Sequence, residues 1–339
     1  MKILVICSPC YDFSVSNLIE GFIQIKRKNN NFDFRVTERS NYSYAYNMGL
    51  LHDYSIMNKD AIDYGKEADL IVLTSNRFVK ENIEKIINRR EKTVFLDGID
   101  EEGLYRNPKE FPLYFKREMM VFNEYDYDNI IPFPFAAENR YFTCHVNGNL
   151  EEIYNLDINK IEFKFDHKNI NLSCMFGKTD KRKQWRNWVK ETIKNMNLEN
   201  CTTESIYSKS IDKTKFYIDT GNRYHYDYFE NLYNSKISID SYGADGASTS
   251  RFYESLANCC CIISQPIRII IPESQFIEDE DYISFYTPKE LKEKILYFMN
   301  NEEKIKNIAQ NSFEKIKKFH TSEKRAEYFL RKCREHCIL

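Results

Sequence analysis

Two patterns of apolar positions alternate along the chain. Short apolar runs bounded by polar or turn residues read as buried strands: Lys2–Cys7 (KILVIC), Asp69–Thr74 (DLIVLT), Thr93–Leu96 (TVFL), Asn169–Phe176 (NINLSCMF) and Cys260–Ser264. Phe32–Thr37 and Lys236–Asp240 alternate apolar with polar residues and predict two more strands, with another at Phe216–Asp219. Between these runs, apolar residues recur at helical spacing. Leu18, Ile19, Phe22 and Ile25 form one such stripe, and Val79, Ile83, Ile86 and Ile87 a second within Phe78–Asn88. Trp185–Met196 and Tyr226–Tyr233 follow the same period. Strand and helix in turn predict an α/β fold of doubly wound, Rossmann-like layers. Residues 105–165 are less regular. Asn129–Phe135 (NIIPFPF) carries two prolines and reads as an extended stretch closing the first layer, and the turn-rich Asn147–Asp157 as a connection.

The last third is the most explicit. Thr287-Pro288-Lys289-Glu290 is a capping box with proline at the first helical position. Leu291, Ile295, Phe298 and Met299 make the stripe that follows. A second helix spans Glu302–Phe319, and a third starts near Thr321 with Ala326, Phe329 and Leu330 on its apolar face.

A chain of 339 residues suits two domains, and 42% hydrophobic with 29% charged residues describes a globular protein. The net charge of −2 argues against a dedicated nucleic-acid binder, while leaving room for a local basic cleft. No apolar run is long enough to span a membrane, and Ile3–Ile6 is too short for a signal-peptide core, so the expected location is cytoplasmic. There the ten cysteines stay reduced. The consecutive Cys259–Cys261 read as small hydrophobic packing residues between a helix and a strand. Cys7 and Cys10, spaced as in a redox motif, and Cys333, His336 and Cys337, spaced as metal ligands, are not brought together by anything else in the sequence, and no metal site is expected.

The segment with most chemical content is Lys236–Ser264. It reads as strand, glycine-containing loop, helix and strand, with Ser248, Thr249 and Ser250 as N-cap candidates for a helix starting near Arg251. A helix N-terminus at the carboxyl end of a parallel strand attracts anions through its free N–H groups and macrodipole. Arg251 adds a planar cation suited to phosphate. Glu254, one turn deeper, is placed to accept hydrogen bonds from ribose hydroxyls. The plainer reading is an i, i+3 surface pair between the two.

Ser250–Ala257 (SRFYESLA), the strand after it, the capped helix from Thr287 and the run His320–Tyr328 together resemble the GT-B-fold glycosyltransferases, most closely the CgeB-like, spore-maturation type. Phe95–Asp100 (FLDGID), Tyr114–Glu118 (YFKRE) and Ile131–Phe135 (IPFPF) are similar to that group as well. The resemblance implies two Rossmann-like domains facing a cleft: an acceptor-side domain over 1–145, a nucleotide-sugar domain over 160–320, and a terminal helix, 321–339, that packs back on the first. It implies a UDP- or GDP-type sugar donor, no required cofactor, and an acceptor that is a glycan, a protein or a small molecule. Glu254 matches the acid that holds the donor ribose, and Arg251 the arginine near the diphosphate. Gly177, Lys178 and Arg182 fall in the loop after the first strand of the second domain, where such enzymes bind phosphate. Many retaining members carry a further acid eight residues before the ribose acid. Here that position is Gly246, with Asp245 beside it, which leaves the stereochemistry open. Candidate bases for the acceptor hydroxyl are Asp12, after the first strand, and Asp97 and Asp100, after the fourth. Two other readings share the fold: a sugar-nucleotide epimerase, and a non-catalytic carbohydrate- or protein-binding module, which the glycine at 246 favours.

Overall fold

The computed structural model describes residues 1–7, 13–37, 54–56, 58–74, 88–99, 103–146, 152–153, 155–175, 184–202, 226–243 and 248–339. Among these residues the chain forms two parallel sheets in series. The first contains β1 (Lys2–Ile6), β2 (Asp33–Thr37), β3 (Ser55–Ile56), β4 (Leu70–Thr74), β5 (Thr93–Asp97), β6 (Tyr114–Lys116) and β7 (Ile130–Pro132), in the order β3-β2-β1-β4-β5-β6-β7. All of its pairings are parallel. Every residue of β4 and β5 is buried, which is why these strands read as unbroken apolar runs and not as alternation. Helices α1 (Phe13–Lys28) and α2 (Asn58–Glu67) belong to this layer.

The second sheet holds β8 (Ile170–Ser173), β9 (Cys201–Thr202), β10 (Ser235–Ile239), β11 (Cys261–Ser264) and β12 (Ile283–Ser284), ordered β12-β11-β10-β8-β9 and again parallel. Its helices are α3 (Gln184–Lys194), α4 (Tyr226–Asn234), α5 (Ser250–Ala257), α6 (Pro288–Met299) and α7 (Glu302–Phe319). In each sheet the strand order reverses once, between β1 and β4 in the first and between β8 and β10 in the second. Helices leave opposite faces at such a point, and the crevice they open is where open α/β sheets bind ligands.

The terminal helix α8 (Ser322–Glu335) crosses back to the first sheet. Phe329 packs its ring 4.3 Å from Phe115 and 6.1 Å from Phe22, and Ala326, Leu330 and Cys333 join the same core as Ile3, Val5 and Leu18. Gly21 permits the approach: a Cβ there would run into the Ser322 carbonyl and Ala326 Cβ.

The stretch read as irregular supplies two strands. β7 contains Pro132, tolerated because β7 is the outermost strand, where a missing N–H breaks no ladder. β3, β9 and β12, two residues each, are too short to show a period. The helix expected over 78–88 and the strand over 216–219 fall wholly or largely outside the described residues. No helix of the described residues is long and apolar enough to cross a membrane.

Candidate functional site

β10 ends at Ile239 with Asp240 directly after it, and α5 starts at Ser250 with Thr249 in the N-cap position. Arg251 and Glu254 do not pair with each other. The Arg251 guanidinium donates through Nη1 to Asp240 Oδ1 at 3.2 Å. The Glu254 carboxylate, only 2% exposed, accepts from the Tyr228 hydroxyl of α4 through Oε2 at 2.6 Å. Its other oxygen, Oε1, is buried with no hydrogen-bond partner among the described residues. Side chains on a helix lean toward its N-terminus, so the carboxylate is carried back toward the start of α5. A buried carboxylate oxygen without a donor costs free energy, which a ligand hydroxyl would recover.

The start of α5 lies in a positive surrounding. Arg186 and Lys190 project one turn apart from α3, the helix that follows β8, while Arg251 comes from α5, which follows β10. Burial lowers the Lys190 pKa, and the charges of Arg251, Lys194 and Arg186 act in the same direction. Burial pushes the Cys174 thiol, just beyond β8, up to about 12, with Arg251 and Lys190 pulling down and Asp240 adding to the rise. Lys190 and Arg251 thus lie with Asp240 around Cys174 at the carboxyl ends of the two strands that flank the reversal of strand order, and Arg186 is one turn before Lys190 on α3. Arg186 and Lys190 were not singled out from the sequence. Their i, i+4 spacing was visible, but it reads as an ordinary polar helix face until the β8–β10 pairing brings the starts of α3 and α5 to the same edge of the sheet.

The site abuts the junction with the first layer. Phe135, on the chain leaving β7, packs 5.5 Å from Phe13 at the start of α1 and 6.4 Å from Tyr253 of α5. Asn258, at the end of α5, donates to the Tyr141 carbonyl at 2.9 Å. Behind this contact lies a cluster of buried acids. Glu138 accepts from Asn17 at 2.9 Å and from Arg140 at 2.5 Å, and Glu20 accepts from the Asn139 N–H at 3.1 Å. Burial, and next the Glu138 charge, push the Glu20 carboxyl up to about 8. Glu138 is also raised, mainly by burial and further by the Glu254 charge, against the pull of Arg140.

The other expected residues divide as follows. Ser248 is buried with a hydroxyl that has no partner among the described residues, and Ser250 opens the helix. Thr249 occupies the cap position but makes no capping bond. Asp97 is not placed as a base. It is fully buried and accepts from the Tyr114 hydroxyl at 2.5 Å, Lys116 Nζ at 3.4 Å and the N–H groups of Ile99 and Tyr105. Four donors on a carboxylate with no solvent contact make an anchor for the chain after β5, not a proton acceptor for a substrate. Asp12, Asp100, Gly177, Lys178, Arg182, Asp245 and Gly246 lie outside the described residues. No group of three or more His, Cys, Asp or Glu side chains able to hold a metal occurs among the described residues.

Solved structures share this architecture over nearly the whole chain. A glycosyltransferase from Rickettsia africae superimposes with a TM-score of 0.66 at 13% identity, over 99% of this chain and 98% of its own. Anabaena HepE in complex with UDP-glucose gives 0.63 at 9% identity, over 99% and 100%. An α-glucosyltransferase in complex with UDP-glucose and DNA containing an abasic site gives 0.58 at 8%, over 98% and 99%. The fold is GT-B. Within it, residues 204–331 match a family model described as glycosyl transferase-like, and these residues include Asp240, Arg251 and Glu254. This GT-B chain has no match among curated protein sequences.

Proposed function

We propose that the protein is a glycosyltransferase that moves a sugar from a nucleotide-diphosphate donor, of the UDP type, to an acceptor hydroxyl. The observation that carries this reading is Glu254: one carboxylate oxygen fixed by Tyr228 and the other buried without a donor, beside a helix start surrounded by Arg186, Lys190 and Arg251. Glu254 Oε1 accepts from a ribose hydroxyl. The diphosphate meets the first N–H groups of α5 and the three cations, which stabilise the charge it gains as the anomeric carbon–oxygen bond breaks. Gly177, Lys178 and Arg182, after β8, are assigned to the same phosphates, and Asp245 and Gly246 to the donor sugar. Asp12 and Asp100, which follow β1 and β5, are the bases assigned to the acceptor hydroxyl. UDP is favoured as the carrier because HepE and the DNA-bound α-glucosyltransferase hold UDP-glucose. The clustered cations supply the charge a divalent ion would otherwise give, so no metal is required in this reading. Free thiols, seven of the nine among the described residues buried, suit the cytoplasm.

The test is UDP release from UDP-glucose and other UDP- and GDP-sugars across a panel of glycan, protein and small-molecule acceptors, with and without EDTA. Transfer that persists in EDTA and is lost in Glu254→Ala, with the variant melting as the parent does, is the expected result. Unaltered turnover in Glu254→Ala would refute the site, and conversion of the donor with no transfer to any acceptor would refute the reaction.

A further inference from the structure

The two helices that carry Tyr228 and Glu254 are tied together at their C-terminal ends by a buried lysine. Lys168, two residues before β8, is only 5% exposed. Its ammonium donates to the Tyr233 carbonyl at 2.6 Å, the Asn258 carbonyl at 2.8 Å and the Leu232 carbonyl at 3.4 Å. Leu232 and Tyr233 lie in the last turn of α4, and Asn258 is the C-cap residue of α5. The last carbonyls of a helix have no partner within it, and the macrodipole makes that end negative. One ammonium therefore meets the negative ends of two helices, and its three N–H groups match three carbonyls. The Cys260 thiol, a weak donor, also reaches the Leu232 carbonyl, at 3.0 Å. Toward the start of α4, the same two helices meet through the 2.6 Å bond from the Tyr228 hydroxyl to Glu254 Oε2.

We propose that Lys168 is a positioning residue for the donor: by clamping the C-terminal ends of α4 and α5 in one register, it holds Tyr228 where its hydroxyl orients the Glu254 carboxylate. This rests on the donor-site reading given above. Lys168 precedes β8, so it lies at the amino edge of the second sheet, whereas the donor site lies at the carboxyl ends of β8 and β10. It acts through the helices and not by touching the nucleotide. A helix rises about 1.5 Å per residue, so a slip of α4 along α5 by one residue would carry the Tyr228 hydroxyl out of hydrogen-bond range of Glu254. The apolar core the two helices share, with Phe229, Leu232, Phe252 and Leu256, draws them together without direction. Charge-assisted bonds from one ammonium set both distance and direction.

Calorimetry with UDP, and with GDP, on the parent, Lys168→Met, Tyr228→Phe and the double variant decides the matter. Methionine keeps an unbranched stem and removes the ammonium. The expected result is nucleotide binding weaker by about fivefold in each single variant, and a double variant no weaker than Tyr228→Phe alone, because without the Tyr228 hydroxyl there is no bond left to align. Loss of a positive charge as such would weaken binding equally with Tyr or Phe at position 228. A role confined to stability would leave binding by the folded variant at the parental level. Parental binding by either single variant, or single losses that multiply in the double variant, overturns the proposal. If Lys168→Met does not fold, Lys168→Gln, which keeps two N–H donors on a shorter stem, takes its place in the same cycle. A parent protein that binds neither nucleotide overturns the donor-site reading and this proposal with it. Binding by the parent with losses that multiply overturns this proposal alone.

Discussion

Glu254 depends on a residue far from it in sequence. Tyr228 holds Oε2 at 2.6 Å, which sets the direction of the remaining oxygen. Tyr228→Phe keeps the ring and removes that donor. It leaves a second buried oxygen unsatisfied, so stability should fall by roughly 1–3 kcal/mol and the donor KM should rise, with kcat in the folded enzyme much less affected. Steady-state kinetics and urea melts read both effects, and an unchanged KM would break the link between Tyr228 and the donor. Asp97 gives the contrasting case. Breaking its fully buried pair with Lys116 should cost about 3–5 kcal/mol in Asp97→Ala, while turnover per folded molecule stays at the parental level. A large loss of kcat in the folded fraction would return Asp97 to the chemistry. Asp97 closes an apolar run and Glu254 lies one turn inside a helix, yet neither position says which of the two keeps an unpaired oxygen. The difference is which donors the sheet brings to each.

The elements show where pattern suffices. Strands β1, β4, β5 and β11 and helices α6, α7 and α8 are legible from period and caps, because their burial or their capping residues leave a local trace. Capping at α6 holds with one change: the Glu290 carboxylate takes the N–H of Tyr286, one residue before the threonine cap. The two-residue strands leave no such trace. Nor does Gly21, which looks like an ordinary weak point in a helix until α8 lies across it. Gly21→Val should destabilise the protein by roughly 1–3 kcal/mol or more, since the atoms it meets include backbone that cannot swing aside. A melting temperature equal to the parent's would show that α1 and α8 can separate without cost.

Over the whole molecule, the two layers meet at Glu20, Glu138 and Arg140, with Asn139 and Ser322 as the other groups on Glu20. In the folded state Glu20 keeps its proton until about pH 8, whereas in the unfolded chain it loses it near 4.3. Between these values the native state binds more protons than the unfolded state, so stability falls as pH rises. The contribution is fully present below the unfolded value and lost as pH passes through about 8. Its slope is at most about 1.4 kcal/mol per pH unit. Glu20→Gln should flatten the fall in stability between pH 5 and 8, and a parental curve already as flat as the variant's would remove Glu20 from the account.

The order of apolar runs and helical stripes was enough to specify parallel sheets in series, because strands buried on both faces and amphipathic helices can satisfy their surfaces in few other ways. It also marked the helix that carries Glu254, since glycine, cap residues and a buried strand are local signals. Which side chains share a site is not local. Lys190 comes near Arg251 only through the β8–β10 pairing, Tyr228 reaches Glu254 only through the packing of α4 on α5, and Asp240 meets Thr249 and Arg251 only because β10 ends where it does. Those contacts depend on sheet order and helix packing, long-range terms that no window of residues contains.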